Sequence, residues 1–331
     1  MEEPFPFVLH GYEFQKIIGQ GSNSTAFQVY SIKYQRYFCA KMTEVDNDLS
    51  CDQPQLQELQ ALIKLDHPNI IRVYDYFQEG EYYFQILELC EEGSLDDLLK
   101  NTGKLDLPTI RKYMRNIVDG LNYCHKRMIA HRDIKPANIF LGKYDKVKIG
   151  DFGLCSILSP NHRLVNNSWG SPSYAAPEIY GNQAYDPLKA DVWALGVTLY
   201  QLYFNKLPWD DSITMKGPKR TPLHLPFDTD LLFCQLLTSM LQIDPNKRKS
   251  LDEISNSMFL NPVPKVPTRL SFVYGSRIGR RRSNGDVPIW KQHYKQPISD
   301  SESQNDEQII RFRKTSRVGR NERLLTFSSR A

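Results

Sequence analysis

Polar and apolar residues alternate with a period of two through much of residues 13–87, and the pattern then changes to a period near 3.6. Alternation at period two places one face of a strand in a core, and a 3.6 period does the same for one stripe of a helix. The segments YEFQKII and QVYSIKYQRYFCAKM therefore predict strands. QPQLQELQALIKL interrupts them with leucines at 56, 59, 62 and 65, a helical spacing. IIRVYDYFQEGEYYFQILEL predicts a hairpin that turns at Gly80. From residue 94 the chain reads as helices: SLDDLLKN, LPTIRKYMRNIVDGLNYCHKR, KADVWALGVTLYQLYF, TDLLFCQLLTSML and SLDEISNSMF. A small strand-rich lobe followed by a larger helical lobe fits this order, an α+β arrangement in two lobes. The apolar periodicity stops near residue 260, where Pro262, Pro264 and Pro267 open a stretch rich in Ser, Arg, Asn and Gln. Such a composition predicts a largely disordered tail over 260–331.

Charge sharpens this division. The tail holds 15 Lys and Arg against 6 Asp and Glu, a net of +9, so the +4 of the whole chain leaves −5 for residues 1–259. A basic nucleic-acid-binding domain is not expected, nor is DNA as a partner. The apolar run VWALGVTLYQLYF is too short to span a bilayer and predicts a buried helix. The start MEEPFPFV lacks the basic flank of a signal peptide, and neither end carries a lipidation motif. Six scattered cysteines without metal-ligand spacing predict free thiols in a reducing cytoplasm or nucleus.

The chemistry concentrates in AHRDIKPANIF at 130–140, which fits H-R-D-x-K-x-x-N at all five fixed positions. IGDFGL follows at 149–154, GSPSYAAPE at 170–178, DVWALGV from 191 and DPNKR from 244. In order and spacing these motifs resemble the eukaryotic protein kinases over about residues 13–259. The resemblance implies a small lobe at about 13–87, a hinge at 88–93 and a helical lobe at 94–259. It also implies ATP and Mg2+ as cofactors and protein substrates with Ser or Thr acceptors. Phosphoryl transfer needs alignment and charge neutralisation more than covalent help. Asp133 is then the base that accepts and orients the substrate hydroxyl, and Lys135 sits near the transferred phosphate and marks Ser/Thr specificity. Asn138 and Asp151 offer hard oxygen ligands for magnesium. Lys41 grips the α- and β-phosphates, paired with Glu58, which stands nine residues before His67. Structural roles fall to His131 under Phe152, to Asp191 as anchor of the catalytic loop, and to a Glu178–Arg248 pair.

KIIGQGSNSTAFQVY resembles the phosphate-binding glycine loop, with Lys41 22 residues beyond Gly19. Its candidates are Ile18, Gly19, Gln20, Gly21, Ser22, Asn23, Ser24 and Ala26. Ser24 replaces the third glycine, and holding it in a glycine-like conformation is expected to cost about 1 kcal/mol. Backbone groups of Glu88 and Cys90 would bond adenine, between walls formed by Ile18, Ala26, Cys39 and Phe140, with Leu87 guarding the back of the pocket. The small Ala26 and the large Phe140 are expected to conserve volume across the ring.

NKLPWDD and LTSMLQIDPNKRKSLDEI resemble the calcium/calmodulin-dependent-kinase-like group, although HRDIKPANIF also suits the NIMA-related type. The prolines past 260 argue against a calmodulin-binding helix there. Asn167 occupies the usual phosphorylation position of the activation loop, leaving Ser168, and Ser156 stands where a second basic residue often sits. Weak dependence on loop phosphorylation follows. Ser168, Ser283 and Thr315 are candidate sites for an upstream kinase, and a monomer is expected. Ala137, Ser94 and Gln201 replace three carboxylates with which arginine-directed members of the family grip substrate arginines. Two other functions compete with the enzyme: a pseudokinase scaffold, and a protein whose tail binds anionic surfaces through GRRRSNG and RFRKTSRVGR.

Overall fold

The computed structural model describes residues 5–21, 24–44, 54–159, 161, 163–166, 170–181, 183–209 and 223–262. The chain divides into units 1–267 and 268–331, and every described residue lies in the first. Of the tail expected over 260–331, residues 260–262 are described and Leu260 is buried in the helical core, so the folded part runs past 259; the rest, with Ser283 and Thr315, falls outside the described residues, as do Ser22, Asn23, Asn167 and Ser168.

Six antiparallel strands form the N-terminal sheet: β1 (Phe7–Leu9), β2 (Tyr12–Gln20), β3 (Ser24–Ser31), β4 (Arg36–Glu44), β5 (Val73–Glu79) and β6 (Tyr82–Leu87). Their order is β1-β2-β3-β4-β6-β5. The reading by alternation misses β1, whose three residues are too few to establish a period. Phe14, Phe27, Val29, Phe38, Phe84 and Ile86 bury one face of the sheet as an aromatic cluster. The sheet curls so that Tyr12 Oη donates to Asp75 Oδ2 (3.1 Å) on the far edge strand. Helix α1 (Pro54–Lys64) packs Leu59, Ala61 and Leu62 into a second, larger core shared with the helices that follow.

These helices are α2 (Leu95–Thr102), α3 (Leu107–Lys126), α4 (Pro187–Phe204), α5 (Leu231–Met240) and α6 (Leu251–Ser255). Local chemistry sets their starts. Ser94, Asp106, Asp186, Asp230 and Ser250 each accept a backbone N–H of the first turn, and Ser94 and Ser250 form capping boxes with Asp97 and Glu253. Helix α4 is apolar on all sides and buries Trp193, Leu195, Val197, Leu199 and Tyr200. Two short ribbons complete the lobe: β7 (Ile129–Ala130) with β10 (Ser156–Ile157), and β8 (Ile139–Gly142) with β9 (Lys146–Ile149). The functional motifs lie on the loops these ribbons hold. Among the described residues no helix is long and apolar enough to cross a membrane.

Candidate active site

The loop between β7 and β8 presents Asp133, which is 7% exposed. Its carboxylate accepts four hydrogen bonds. Oδ1 takes the Ser171 amide (3.1 Å) and hydroxyl (2.9 Å), while Oδ2 takes Lys135 Nζ and Asn138 Nδ2, both at 2.8 Å. Lys135 Nζ also donates to Ser171 Oγ at 2.7 Å. The backbone that aims Asp133 is itself pinned. Arg132 has a positive φ of 69°, a conformation that needs support, and buried Asp191 accepts both the His131 amide (2.8 Å) and the Arg132 amide (2.7 Å). His125 Nε2 shares that carboxylate at 2.9 Å. His131 accepts the Asp133 amide at Nδ1 and donates from Nε2 to the Gly150 carbonyl, with its ring edge-on to Phe152.

Ser171 lies within GSPSYAAPE, where nothing in the sequence marks it for this role. A glycine brings it to Asp133: at Gly170 φ is +114°, and a Cβ would lie 2.6 Å from the Arg132 carbonyl. No other residue allows that approach.

The opposite side of the site comes from the sheet and α1. Lys41 Nζ lies 2.8 Å from Glu58 Oε1 and 2.8 Å from Asp151 Oδ1. Burial alone would lower the Lys41 pKa, but the two carboxylates outweigh it and hold the ammonium above its ordinary range. Burial likewise opposes ionisation of Asp151, and Lys41 overcomes it, so that carboxyl is held below its ordinary value. Asp151 adopts a positive φ of 57° that aims it at Lys41. Glu58 Oε2 accepts a further bond from Gln85 Nε2 at 3.3 Å, a contact the sequence did not suggest.

The candidate adenine walls Ala26, Cys39 and Phe140 are part-buried, and Ile18 is exposed. The Phe140 ring presses on Gly150, where a Cβ would meet it at 2.9 Å. Its bulk is thus accommodated by a missing side chain beneath it. Contact between Ala26 and Phe140 is not among the described interactions. The Glu88 amide donates to the Arg72 carbonyl at 2.9 Å, so of the Glu88 backbone groups the amide is already engaged. Burial pushes the Cys39 thiol up to about 11 and the Cys90 thiol up to about 12, so both are protonated at neutral pH.

At the candidate phosphate loop one expectation is corrected. Ser24 begins β3 and is not among the residues with positive φ, so the predicted strain is absent. The turn closes through the Gly21 amide on the Ser24 carbonyl at 2.8 Å. Gly19 lies against Ala26 across the β2–β3 pair, and Gln20 pairs with Thr25.

Elsewhere Arg248 grips Glu178 with two bonds of 2.6 Å. Arg132 Nη1 donates to Ser156 Oγ at 2.8 Å. Asn138 and Asp151 lie on neighbouring segments joined by the Gly150 amide on the Asn138 carbonyl (3.0 Å). No cluster of three His, Cys, Asp or Glu suited to a metal occurs among the described residues. Magnesium is satisfied by fewer protein oxygens, since it keeps several waters and takes substrate phosphates. The amide and carboxylate oxygens of Asn138 and Asp151 fit it.

Comparison with known proteins agrees with this arrangement. The protein kinase domain family matches residues 12–260. A probable serine/threonine-protein kinase of Dictyostelium discoideum is 37% identical over 222 residues, 63% of this chain and 26% of its own length. A probable cell cycle serine/threonine-protein kinase of Encephalitozoon cuniculi, a CDC5 homologue, is 33% identical over 290 residues, 83% of this chain and 59% of its own. A serine/threonine protein kinase of Oryza sativa subsp. indica is 35% identical over 210 residues, 62% of this chain and 41% of its own. The chain thus spans from about a quarter to three fifths of the length of these relatives. With the motif order, the two-lobed fold and a family match over most of its length, the chain belongs to the protein kinase family.

Proposed function

We propose that the chain transfers the γ-phosphate of ATP to serine or threonine hydroxyls of protein substrates. The observation that carries this reading is the set of four donors on Asp133, with Lys135 and Ser171 in one hydrogen-bonded group. Held in this way, Asp133 accepts the hydrogen of an incoming hydroxyl and points the oxygen along the line of attack. Lys135 places a positive charge where charge develops on the transferred group. Lys41 has three donors, two of them used by Glu58 and Asp151, and the third is available to a phosphate oxygen. Asn138 and Asp151 would hold Mg2+, which when bound neutralises phosphate charge. The Glu88 carbonyl and the Cys90 backbone would orient adenine. Lys135 and the names of the relatives support Ser/Thr rather than Tyr acceptors. Within the family, NKLPWDD and LTSMLQIDPNKRKSLDEI favour the calcium/calmodulin-dependent-kinase-like group. The catalytic domain is assigned to 13–259, with 260–331 as a regulatory or localising tail open to an upstream kinase at Ser283 or Thr315.

The scaffold alternative draws no support from the site, because the lysine, the base and both oxygen ligands are present. The test is transfer of label from radioactive ATP to a mixture of protein acceptors by the purified chain, compared with Asp133→Asn. The expected loss is roughly 10³-fold in turnover with nucleotide affinity retained. Binding of ATP by the unaltered protein without transfer to any acceptor would establish the scaffold instead.

A further inference from the structure

Gln85 is a buried amide to which the chemistry above gives no task. It lies on β6, where Phe84 and Ile86 face the aromatic cluster of the sheet while Tyr83 joins the core that contains Leu59 and Leu62 of α1. By alternation Gln85 shares the α1-facing side with Tyr83. It is 2% exposed and stands directly opposite Lys41 in the β4–β6 register. A leucine or methionine would fill this position with no polar group to desolvate. The amide has only one described partner, Glu58 Oε2, and Gln85 Oε1 and Tyr83 Oη have none among the described residues. Turning the amide over would set its carbonyl against the Glu58 carboxylate, so the donor end must face Glu58.

The two oxygens of Glu58 are therefore held separately, Oε1 by Lys41 on β4 and Oε2 by Gln85 on β6. We propose that Gln85 is a positioning residue for phosphoryl transfer, whose amide fixes the Glu58 carboxylate, and α1 with it, while the third donor of Lys41 takes a nucleotide phosphate. The inference rests on the phosphotransfer reading. Lys41 divides its charge among Glu58, Asp151 and any phosphate, which weakens its hold on Glu58. A neutral donor on a different strand reinforces that hold without adding a charge that would draw Glu58 away from Lys41.

Two variants of the full chain test this. Gln85→Met keeps the volume and removes the donor. Its kcat/KM should fall roughly tenfold, the loss of one bond to a charged group, and residues 54–64 should exchange amide hydrogen faster than in the unaltered protein, with and without an ATP analogue. Gln85→Glu keeps the shape and places two carboxylates in contact, which cannot both stay ionised. It should be poor at pH 8 and recover relative to the unaltered protein toward pH 6, by about tenfold in the activity ratio, as a shared proton restores a donor. Lys41 on β4, Asp151 after β9, Tyr83 on β6 and Cys155 also face this region. Tyr83 and Cys155 are raised mainly by burial, Lys41 is raised and Asp151 lowered, so none of them changes charge between pH 6 and 8. Wild-type rates and exchange in Gln85→Met, or a Gln85→Glu profile parallel to that of the unaltered protein, would overturn the proposal. If Gln85→Met fails to fold, the isosteric Glu variant decides alone. Hydrogen exchange is read without catalysis, so it judges Gln85 even if the unaltered protein transfers no phosphate.

Discussion

Asp133 and Glu58 are carboxylates of nearly equal burial, 7% and 4% exposed, yet they are held in different ways. Asp133 takes four donors, two from within its own loop and two from one glycine-tethered serine. Glu58 takes two, each from a separate strand of the sheet. The first arrangement is redundant: one donor can be lost and three remain. The second is a chain of single contacts in which each link carries the position of a whole helix. Asp133 is thus preorganised, and the lysine–glutamate side is where adjustment, and damage, has the larger consequence.

Paired substitutions break this comparison most directly. Glu58→Gln leaves Lys41 with Asp151 alone and removes half of a buried ion pair, a change that costs about 3–5 kcal/mol in other proteins. The expected outcome is a loss of roughly a hundredfold or more in kcat/KM, with weakened ATP binding. Ser171→Ala removes one of four donors on Asp133 and one acceptor of Lys135. Turnover should fall roughly tenfold with little change in the KM for ATP. Steady-state kinetics on both variants checks the order, and an equal or larger loss in Ser171→Ala would show that the four donors are not redundant.

Much of the Asp133 region is legible in the sequence because its partners lie close along the chain. His131, Asp133, Lys135 and Asn138 sit within eight consecutive residues, and a motif of that density leaves the loop few ways to close. Glu58 could be found only because its distance to His67 matches a known spacing. Gln85 could not be found at all. In FQIL it is one more position in an alternating strand, and nothing local says that a carboxylate lies across from it. The same holds for β1, too short to show a period, and for the Phe140–Gly150 contact, where the compensation for a large ring is a missing Cβ ten residues away. The expected cost at Ser24 failed for a related reason. A glycine in a family pattern signals a special conformation only when the turn uses it, and here the strand starts early enough that Ser24 remains extended.

The charge cluster around Lys41 also separates the two sides of the site by pH. Lys41 is raised above its ordinary value of 10.5, so its contribution to stability is complete below that value and is lost only as pH rises through the higher folded pKa. Asp151 is lowered from 3.8, so its contribution is present above that value and is lost as pH falls through the depressed folded pKa. Between about pH 5 and pH 10 neither changes. Asp151→Asn should lower the melting temperature by about 2–4 °C at neutral pH, because Asp151 is partly exposed and its pairing is screened. Once pH has fallen below the depressed folded pKa of Asp151, the two melting curves should converge. A gap that persists into strong acid would mean that the Asp151 contribution is steric and not electrostatic.

The smallest expected effect concerns the substrate. Three neutral residues, Ser94, Ala137 and Gln201, stand where arginine-directed relatives carry acids, and the nearby acids have other work. Asp97 accepts the Ser94 amide (2.9 Å) and hydroxyl (2.6 Å) in the cap of α2, bonds that hold its carboxyl below the ordinary value. Asp96 is 2.7 Å from Lys100. Gln201 accepts the Tyr174 hydroxyl. Drawing Asp97 toward a substrate arginine would uncap the helix, which costs about 1 kcal/mol and offsets most of what a partly exposed arginine–carboxylate contact returns. Glu92 remains exposed at the rim of the hinge, too few charges to impose a preference. A positional-scanning peptide library should therefore show an arginine preference under about threefold two or three residues before the acceptor. Ala137 is exposed on the turn that follows Lys135, so Ala137→Glu adds a carboxylate with no local partner to satisfy. It should raise that preference by about threefold to tenfold while leaving turnover on neutral peptides unchanged. A dominant arginine signal in the unaltered protein would mean that Asp97 leaves its cap when substrate binds, and exchange measurements on α2 with an arginine peptide would then find its first turn opened.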